Sequence, residues 1–199
     1  MLLTLALAGP GPAEGAAVIA VLGDSLTAGL GVAADEAFPA RLQARLRREG
    51  YDYRVVNAGV SGDTTAGGRR RVDWVLRSKP DIVIVALGAN DGLRGQSPAA
   101  MRDNLEAIIG RLTASGARVL LTGMRMPPNY GAEYTQEFAA VFPAVARRTG
   151  AVLMPFLLEG VAADSRLLQP DGLHPSAAGH QVIADRLWLY LAPLLRKSG

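Results

Sequence analysis

Short apolar runs alternate along the chain with longer stretches in which apolar residues recur every three or four positions. The short runs predict buried strands over residues 18–22, 53–57, 82–87, 117–122 and 152–155. The periodic stretches predict helices over residues 38–49, 64–78, 101–112, 134–149 and 176–195. Strands that alternate with helices connect by right-handed crossovers into a parallel sheet covered on both faces. We therefore expect an α/β protein with three layers, α/β/α, around a five-stranded parallel sheet.

Glycine and proline residues mark where these helices begin and end. Gly50 is placed to end the first helix, and the Lys79-Pro80 pair stops the second. Pro143 lies inside the fourth periodic stretch and should kink or divide that helix, because its ring removes a backbone donor. Pro175 stands where a proline is favoured in the first turn of the last helix.

The length and composition of the chain fit one globular domain. It has 199 residues, of which 49% are hydrophobic and 20% charged, enough for an ample core. We expect residues 16–199 to form this domain and residues 1–15 to be a leader and linker. The apolar stretch 2–8 ends in Ala-Leu-Ala, like an export cleavage site, but no positive charge precedes it, so an ordinary first segment is the alternative. No other run is long enough to span a bilayer.

Charge and residue usage narrow the function classes. The net charge is +3 and the pI near 9.6, but the arginines are scattered and lack interleaved aromatic residues, which favours solvated helix faces over nucleic-acid binding. The absence of cysteine excludes disulfides and thiolate catalysis, and the presence of only His174 and His180 argues against a multi-histidine metal centre. We expect no metal and no cofactor, and we interpret His180 as structural or solvent-facing.

Candidate chemistry begins directly after the first predicted strand, at Gly23-Asp24-Ser25-Leu26. A strand that ends here delivers Ser25 to the carboxyl edge of the sheet, where open α/β sheets bind ligands. A hydroxyl is a poor nucleophile until a base removes its proton. Asp171-Gly172-Leu173-His174, near the other end of the chain, supplies an imidazole as base and a carboxylate that orients it.

Two further strand ends carry polar residues that suit an oxyanion hole. Residues 57–63 follow the second strand, and Gly88-Ala89-Asn90-Asp91 follows the third. Acyl transfer needs donors aimed where negative charge develops, and the candidates are the Asn90 amide and the backbone N–H groups of Gly62 and Ser25. Each motif alone is also ordinary turn or helix-cap material, and Gly62 has several neighbouring glycines. The hypothesis of acyl transfer therefore depends on all of these motifs occurring together, in this order along the chain.

This ordered set resembles the SGNH hydrolases, also called the GDSL esterase and lipase family, from about Val18 onward. The likeness is closest to the bacterial subgroup of thioesterase I, protease I, lysophospholipase L1 and arylesterase, which also shares residues 60–65, 90–95 and 128–131. The resemblance implies a flavodoxin-like SGNH fold and a metal-free serine hydrolase in which Ser25 is the nucleophile, His174 the base and Asp171 its orienting acid. It also implies an oxyanion hole made by Ser25, Gly62 and Asn90.

The resemblance further implies cleavage of carboxylic esters, acyl thioesters and lysophospholipids. We expect a monomeric enzyme, periplasmic or secreted, that takes a small-molecule acyl substrate, binds no nucleic acid and has no transmembrane segment. Residues 92–98 are predicted to be a lid or pocket wall, with Leu93 and Arg94 toward the substrate and Gly92 and Gly95 as hinges. The other side of an acyl groove is predicted to be lined by Met124, Met126, Pro127, Pro128 and Tyr130, with core packing as the alternative.

Three other functions compete with this hypothesis. A flavodoxin-like nucleotide-binding module would hold a phosphate on residues 23–31, but the spaced glycines and lysine of known phosphate loops are missing. A catalytically silent relative that binds lipid or glycan would have lost an essential residue, and none is lost here. A carbohydrate O-deacetylase of the same fold is the main alternative within the family, because acetyl groups and long acyl chains use the same triad.

Overall fold

The computed structural model describes residues 16–197, so the predicted leader at 1–15 lies outside the described part of the chain. Five parallel strands form one sheet in the order β2-β1-β3-β4-β5. Their bounds are β1 Ala17–Gly23, β2 Tyr53–Gly59, β3 Ile82–Ala86, β4 Arg118–Thr122 and β5 Val152–Met154. All five predicted strands are confirmed, with ends shifted by at most a few residues.

Seven α-helices flank the sheet within residues 16–197. They are α1 Ser25–Ala28, α2 Phe38–Arg48, α3 Thr65–Leu76, α4 Ala89–Leu93, α5 Pro98–Ala114, α6 Ala132–Thr149 and α7 Ala177–Leu191. Helix α2 packs against α7, and α5 packs against both α3 and α6. The connection from β1 to β2 runs toward one edge of the sheet, and the connections from β2 onward run toward the other edge. Right-handed crossovers therefore put α2 and α7 on one face of the sheet and α3, α5 and α6 on the opposite face. The three-layer α/β/α fold is confirmed.

The core lies on both faces of the sheet and contains the residues that the helical periodicity predicts. Strand β3 is buried along its whole length, as a parallel strand between two helical layers must be. Phe38, Leu42 and Leu46 of α2 are fully buried. The predicted stripe on α5 is buried at every position: Met101, Leu105, Ile108, Ile109 and Leu112. In the part of the chain that the structure describes, no helix combines the length and apolar character that crossing a membrane would need.

Three predictions about helix ends and interruptions need correction. Pro143 does not divide α6, which runs unbroken to Thr149, because buried side chains on both sides of the proline pack into the core; a kink at Pro143 stays a prediction. Pro175 is not in the first turn of α7: Ser176 is the N-cap, its hydroxyl accepting from the Gly179 N–H at 3.3 Å, and Pro175 precedes it. Helix α7 ends at Leu191 rather than Leu195, because Pro193 cannot donate within a further α-helical turn.

His180 on α7 has a structural role. It is buried, its ring stacks on Phe38 with centroids 6.2 Å apart, and its Nδ1 accepts a hydrogen bond from the Phe38 N–H at 3.2 Å. Ala37, the N-cap residue of α2, offers no side-chain cap, so the imidazole satisfies a donor that the helix start leaves open. Burial lowers the pKa of His180 to about 4, which keeps the ring neutral as this acceptor role requires.

Candidate active site

Ser25 is the first residue of α1, directly beyond the carboxyl end of β1. Asp24 is the N-cap of this helix, and its Oδ1 accepts from the Leu26 N–H at 3.0 Å. Gly23 permits the sharp exit from the strand, since a Cβ there would lie 2.0 Å from Thr27 Oγ1. The Asp24 carboxylate therefore occupies the helix start where the nucleotide-binding alternative would place a phosphate, and that alternative finds no support.

Ser25, His174 and Asp171 form one hydrogen-bonded series. Ser25 Oγ lies 2.9 Å from His174 Nε2, and His174 Nδ1 lies 2.6 Å from Asp171 Oδ2. Ser25 and His174, which are in direct contact, are 149 positions apart along the chain. The structure therefore brings together the three residues that the sequence motifs single out.

A tight turn fixes Asp171 beside the imidazole. Its Oδ1 accepts from the backbone N–H groups of Leu173 at 2.9 Å and His174 at 3.0 Å, and Gly172 has φ +69°. The His174 backbone bond, with the bonds from the His174 ring and the Leu173 N–H, lowers the pKa of Asp171 to about 2. Asp171 is therefore ionised near neutral pH and holds the ring in one orientation.

Asn90 lies on α4, at the carboxyl end of β3, and its amide faces the other two strand ends. Nδ2 donates to the Asp63 carbonyl at 2.9 Å and to Asp24 Oδ2 at 3.3 Å. The neighbouring Asp91 anchors α4, because its carboxylate accepts from the N–H of Thr65 at 2.8 Å and from the Thr65 hydroxyl at 2.5 Å. The amide of Asn90 is thus held by groups from two other segments, those that follow β1 and β2.

Gly62 lies in the turn between β2 and α3. Its φ of +79° is a left-handed conformation that glycine adopts without strain, and its carbonyl accepts from Arg94 Nη2 at 3.0 Å. Within residues 16–197, the N–H groups of Gly62 and Ser25 donate to no other protein group. Both amides are therefore free to donate to a ligand; Ser25 lines the cavity described below, whereas Gly62 does not.

Asp24 is a buried carboxyl group between Ser25 and Asn90. Only 1% of its surface is exposed, and burial raises its pKa to about 6 despite the opposing bond from the Leu26 N–H. The helix-cap alternative raised by the sequence is therefore right for Asp24, but the sequence did not predict the burial of its carboxyl group.

A cavity of about 220 Å³ opens beside Ser25 and His174. Its apolar wall comes from α4, from the segment after β4 and from the segment after β5: Leu93, Met124, Met126, Phe156, Leu158, Leu168 and Leu173. Leu93 and Met126 line the cavity as predicted. The residues after β5 were missed, because residues 155–175 show no regular hydrophobic period from which a wall is recognisable.

Arg94 and Tyr130 do not line this cavity but support its rim. Arg94 donates to Gly62, and the Tyr130 hydroxyl donates to the Leu93 carbonyl at 3.1 Å. Gly92 and Leu93 belong to α4 rather than to a loop, and a Cβ on Gly92 would lie 2.4 Å from Met126 Sδ. Gly92 therefore serves close packing and not a hinge, while the lid role of residues 92–98 stays a prediction.

A hydroxyl, an imidazole and a carboxylate in series, beside free amides and an apolar cavity, are the working parts of a serine hydrolase. The chain belongs to the GDSL-like Lipase/Acylhydrolase family, whose model matches residues 21–182. Membership of this acylhydrolase family makes the chain a hydrolase of ester bonds.

Individual proteins of this kind are similar to the chain in sequence and structure over most of its length. Esterase TesA of Pseudomonas aeruginosa is 46% identical over 181 residues, which cover 90% of each protein. Thioesterase 1/protease 1/lysophospholipase L1 of Escherichia coli strain K12 is 38% identical over 184 residues, covering 92% of this chain and 87% of that protein. The crystal structure of TesA superposes with a TM-score of 0.87 at 46% identity, over 89% of this chain and 99% of that chain.

Proposed function

We propose that Ser25 is the nucleophile of this esterase, His174 its general base and Asp171 the carboxylate that orients the imidazole. The observation that carries the proposal is the series of short contacts from Ser25 Oγ through the imidazole to Asp171, at 2.9 and 2.6 Å. Because Asp171 accepts at Nδ1, the ring proton lies on Nδ1 and the Nε2 lone pair faces the hydroxyl.

Acylation proceeds in two proton transfers. His174 Nε2 takes the Ser25 proton as Oγ bonds to the acyl carbonyl carbon, and the carbonyl electron pair moves onto oxygen. The tetrahedral intermediate then collapses: the bond to the leaving oxygen or sulfur breaks, and the imidazolium returns its proton to that atom. Water repeats the two transfers on the acyl-enzyme, which releases the carboxylic acid and restores the Ser25 hydroxyl.

Three N–H donors stabilise the oxyanion: the backbone amides of Ser25 and Gly62 and the side-chain amide of Asn90. The first two are free to donate within the described residues. One hydrogen of Asn90 Nδ2 stays on the Asp63 carbonyl at 2.9 Å, and the other, whose contact with Asp24 is 3.3 Å, is the one that the oxyanion binds. The longer contact is the weaker one, so this exchange costs little.

The substrate is an ester with an apolar acyl chain, and the same site suits acyl thioesters and lysophospholipids. Leu93 and Met126 contact the acyl chain within the cavity, while Arg94 and Tyr130 hold the rim in place. The relatives named esterase and thioesterase/lysophospholipase support this range. The apolar wall favours a chain longer than acetyl over the carbohydrate O-deacetylase alternative.

The experiment is a series of initial rates on p-nitrophenyl esters from acetyl to palmitoyl, with an acyl-CoA and a lysophospholipid, and Ser25→Ala protein as the blank. We expect kcat/KM to rise from acetyl to medium chains, because each buried methylene adds about 0.8 kcal/mol of favourable transfer. Activity confined to acetyl esters would favour the deacetylase, and activity in the blank would remove Ser25 from the mechanism.

We also propose that the enzyme works as a monomer in the periplasm or outside the cell. The apolar stretch at residues 2–8 and the subgroup likeness support export. Fractionation of cells that express the full chain, followed by light scattering of the purified protein, tests both points. Retention in the cytoplasm or a stable dimer would contradict them.

A further inference from the structure

We infer that Arg71 is a positioning residue that holds the oxyanion hole together; this inference rests on the proposed function. Arg71 lies on α3, and its side chain is 19% exposed. It touches none of the reacting groups of the proposed mechanism. Its guanidinium instead binds three polar groups that lie within four residues of Ser25 or Gly62 along the chain, on Gly23, Ala58 and Asp63.

Two of the three contacts fix the ends of neighbouring strands. Nη2 donates to the carbonyl of Gly23 at 2.8 Å, and Nη1 donates to the carbonyl of Ala58 at 2.7 Å. Gly23 is the last residue of β1 and precedes the Asp24-Ser25 turn, whereas Ala58 lies near the end of β2, before the turn that contains Gly62. The Gly23 carbonyl also accepts from the Val60 N–H at 3.0 Å, so the two segments are joined at this point.

The third contact reaches the segment that holds Asn90. Arg71 Nε binds Asp63 Oδ2 at 2.6 Å, and the Asp63 side chain is only 11% exposed. Asp63 follows Gly62 directly, and its own carbonyl accepts from Asn90 Nδ2 at 2.9 Å. One guanidinium therefore links the segments of Ser25, Gly62 and Asn90.

The chemistry of this link requires arginine. A planar guanidinium offers five donors in a fixed fork, so it can bond two carbonyls and a carboxylate at once, and a lysine ammonium lacks that geometry. Gly67 makes room for the carboxylate, since a Cβ there would lie 1.6 Å from Asp63 Oδ1. The bare glycine one turn before Arg71 thus belongs to the same arrangement.

The test compares Arg71→Met and Arg71→Lys with Arg111→Met, which removes an arginine that pairs with Asp73 at the exposed surface. We expect Arg71→Met to lower kcat by about 10- to 100-fold with KM within about twofold, because misplacing reacting groups by an ångström costs rates of that order. Arg71→Lys should recover thermal stability more than kcat. Arg111→Met should retain both kcat and KM, and kcat of the Arg71 variants within twofold of wild type would overturn the inference.

A double-mutant cycle separates positioning from loss of stability. If Arg71 acts through Asn90, Arg71→Met should cost at most about threefold in an Asn90→Ala background, although it costs at least tenfold alone. Full additivity of the two losses in folded protein would overturn the inference. If Asn90→Ala alone loses no activity, the oxyanion assignment in the proposed function fails instead.

Gly67→Ala serves as a second variant if Arg71→Met fails to fold. It displaces Asp63 while leaving Arg71 present, so we expect a similar fall in kcat without a matching rise in KM. Gly110→Ala on α5 is its matched control, because a Cβ there meets nothing within 4 Å. Equal kcat values for Gly67→Ala and Gly110→Ala would contradict the proposal that Asp63 helps Arg71 to position the oxyanion hole.

Discussion

Asp24 places an ionisable group directly before the proposed nucleophile. Its carboxyl is buried, and the pKa of about 6 means that the folded protein binds this proton more tightly than the unfolded chain, for which the pKa is 3.8. Protonation of Asp24 therefore stabilises the fold. That contribution is complete below about pH 4 and is lost as the pH rises through 6.

Asp24→Asn tests this residue directly. The amide oxygen still accepts from the Leu26 N–H, but the side chain no longer titrates. We expect the variant to gain free energy of unfolding relative to wild type as the pH rises from 4 to 7, by a difference on the order of 3 kcal/mol. Urea unfolding at several pH values measures it. A difference between the two proteins that does not change with pH would contradict the burial argument.

At the scale of single elements, periodicity predicts the long helices and misses the short ones. Helix α5 repeats its apolar stripe over several turns, so the pattern is unambiguous. Helices α1 and α4 span four and five residues, too few for any period to appear. These two helices carry Ser25 and Asn90, so hydrophobic periodicity could not predict the helices that hold these two residues.

His180, at the contact between α7 and α2, also makes the stability of the fold depend on pH, but in the direction opposite to Asp24. The pKa of His180 falls from 6.5 to about 4 on folding, so its neutral form is stabilising. This stabilisation is complete above pH 6.5 and is lost as the pH falls toward 4. It opposes the effect of Asp24 over the same range.

His180→Phe and His180→Asn test this contact. Phenylalanine leaves the Phe38 N–H without an acceptor and should lower the free energy of unfolding at pH 7 by about 1–3 kcal/mol. Asparagine retains an acceptor at the position of Nδ1 and should lose less free energy of unfolding. Neither variant should show the decrease in stability that His180 causes as the pH falls from 6.5 toward 4. Thermal unfolding at pH 4.5 and pH 7 provides the comparison. Wild-type stability in the phenylalanine variant at pH 7 would show that the bond to Phe38 is dispensable.

At the scale of the whole molecule, the strand order explains why distant motifs meet. Strand β1 lies between β2 and β3, so the segments of Ser25, Gly62 and Asn90 leave the sheet side by side at one edge. The long segment after β5 then returns across this edge and delivers Asp171 and His174. The motifs and their positions after successive strands are sufficient to predict that these residues lie close together.

Two features could not be predicted from the sequence, the role of Arg71 and the cavity wall after β5, because both depend on contacts between separate segments. Arg71 is one of three consecutive arginines on α3 and has no distinguishing neighbour in the sequence. Only the packing of α3 against the ends of β1 and β2 turns it, and not Arg69 or Arg70, toward Gly23 and Asp63. The cavity wall after β5 is equally dependent on folding, since Phe156, Leu158 and Leu168 follow no regular spacing.

Covalent labelling with a fluorophosphonate, followed by peptide mass mapping, shows whether Ser25 is the nucleophile. We expect one phosphonyl adduct, on the Oγ of Ser25, with loss of ester hydrolysis in proportion to labelling. Ser25→Ala protein should remain unlabelled and turn over esters roughly 10³ to 10⁶ times more slowly than wild type. An adduct on another residue that abolishes activity, or normal turnover by Ser25→Ala, would show that Ser25 is not the nucleophile.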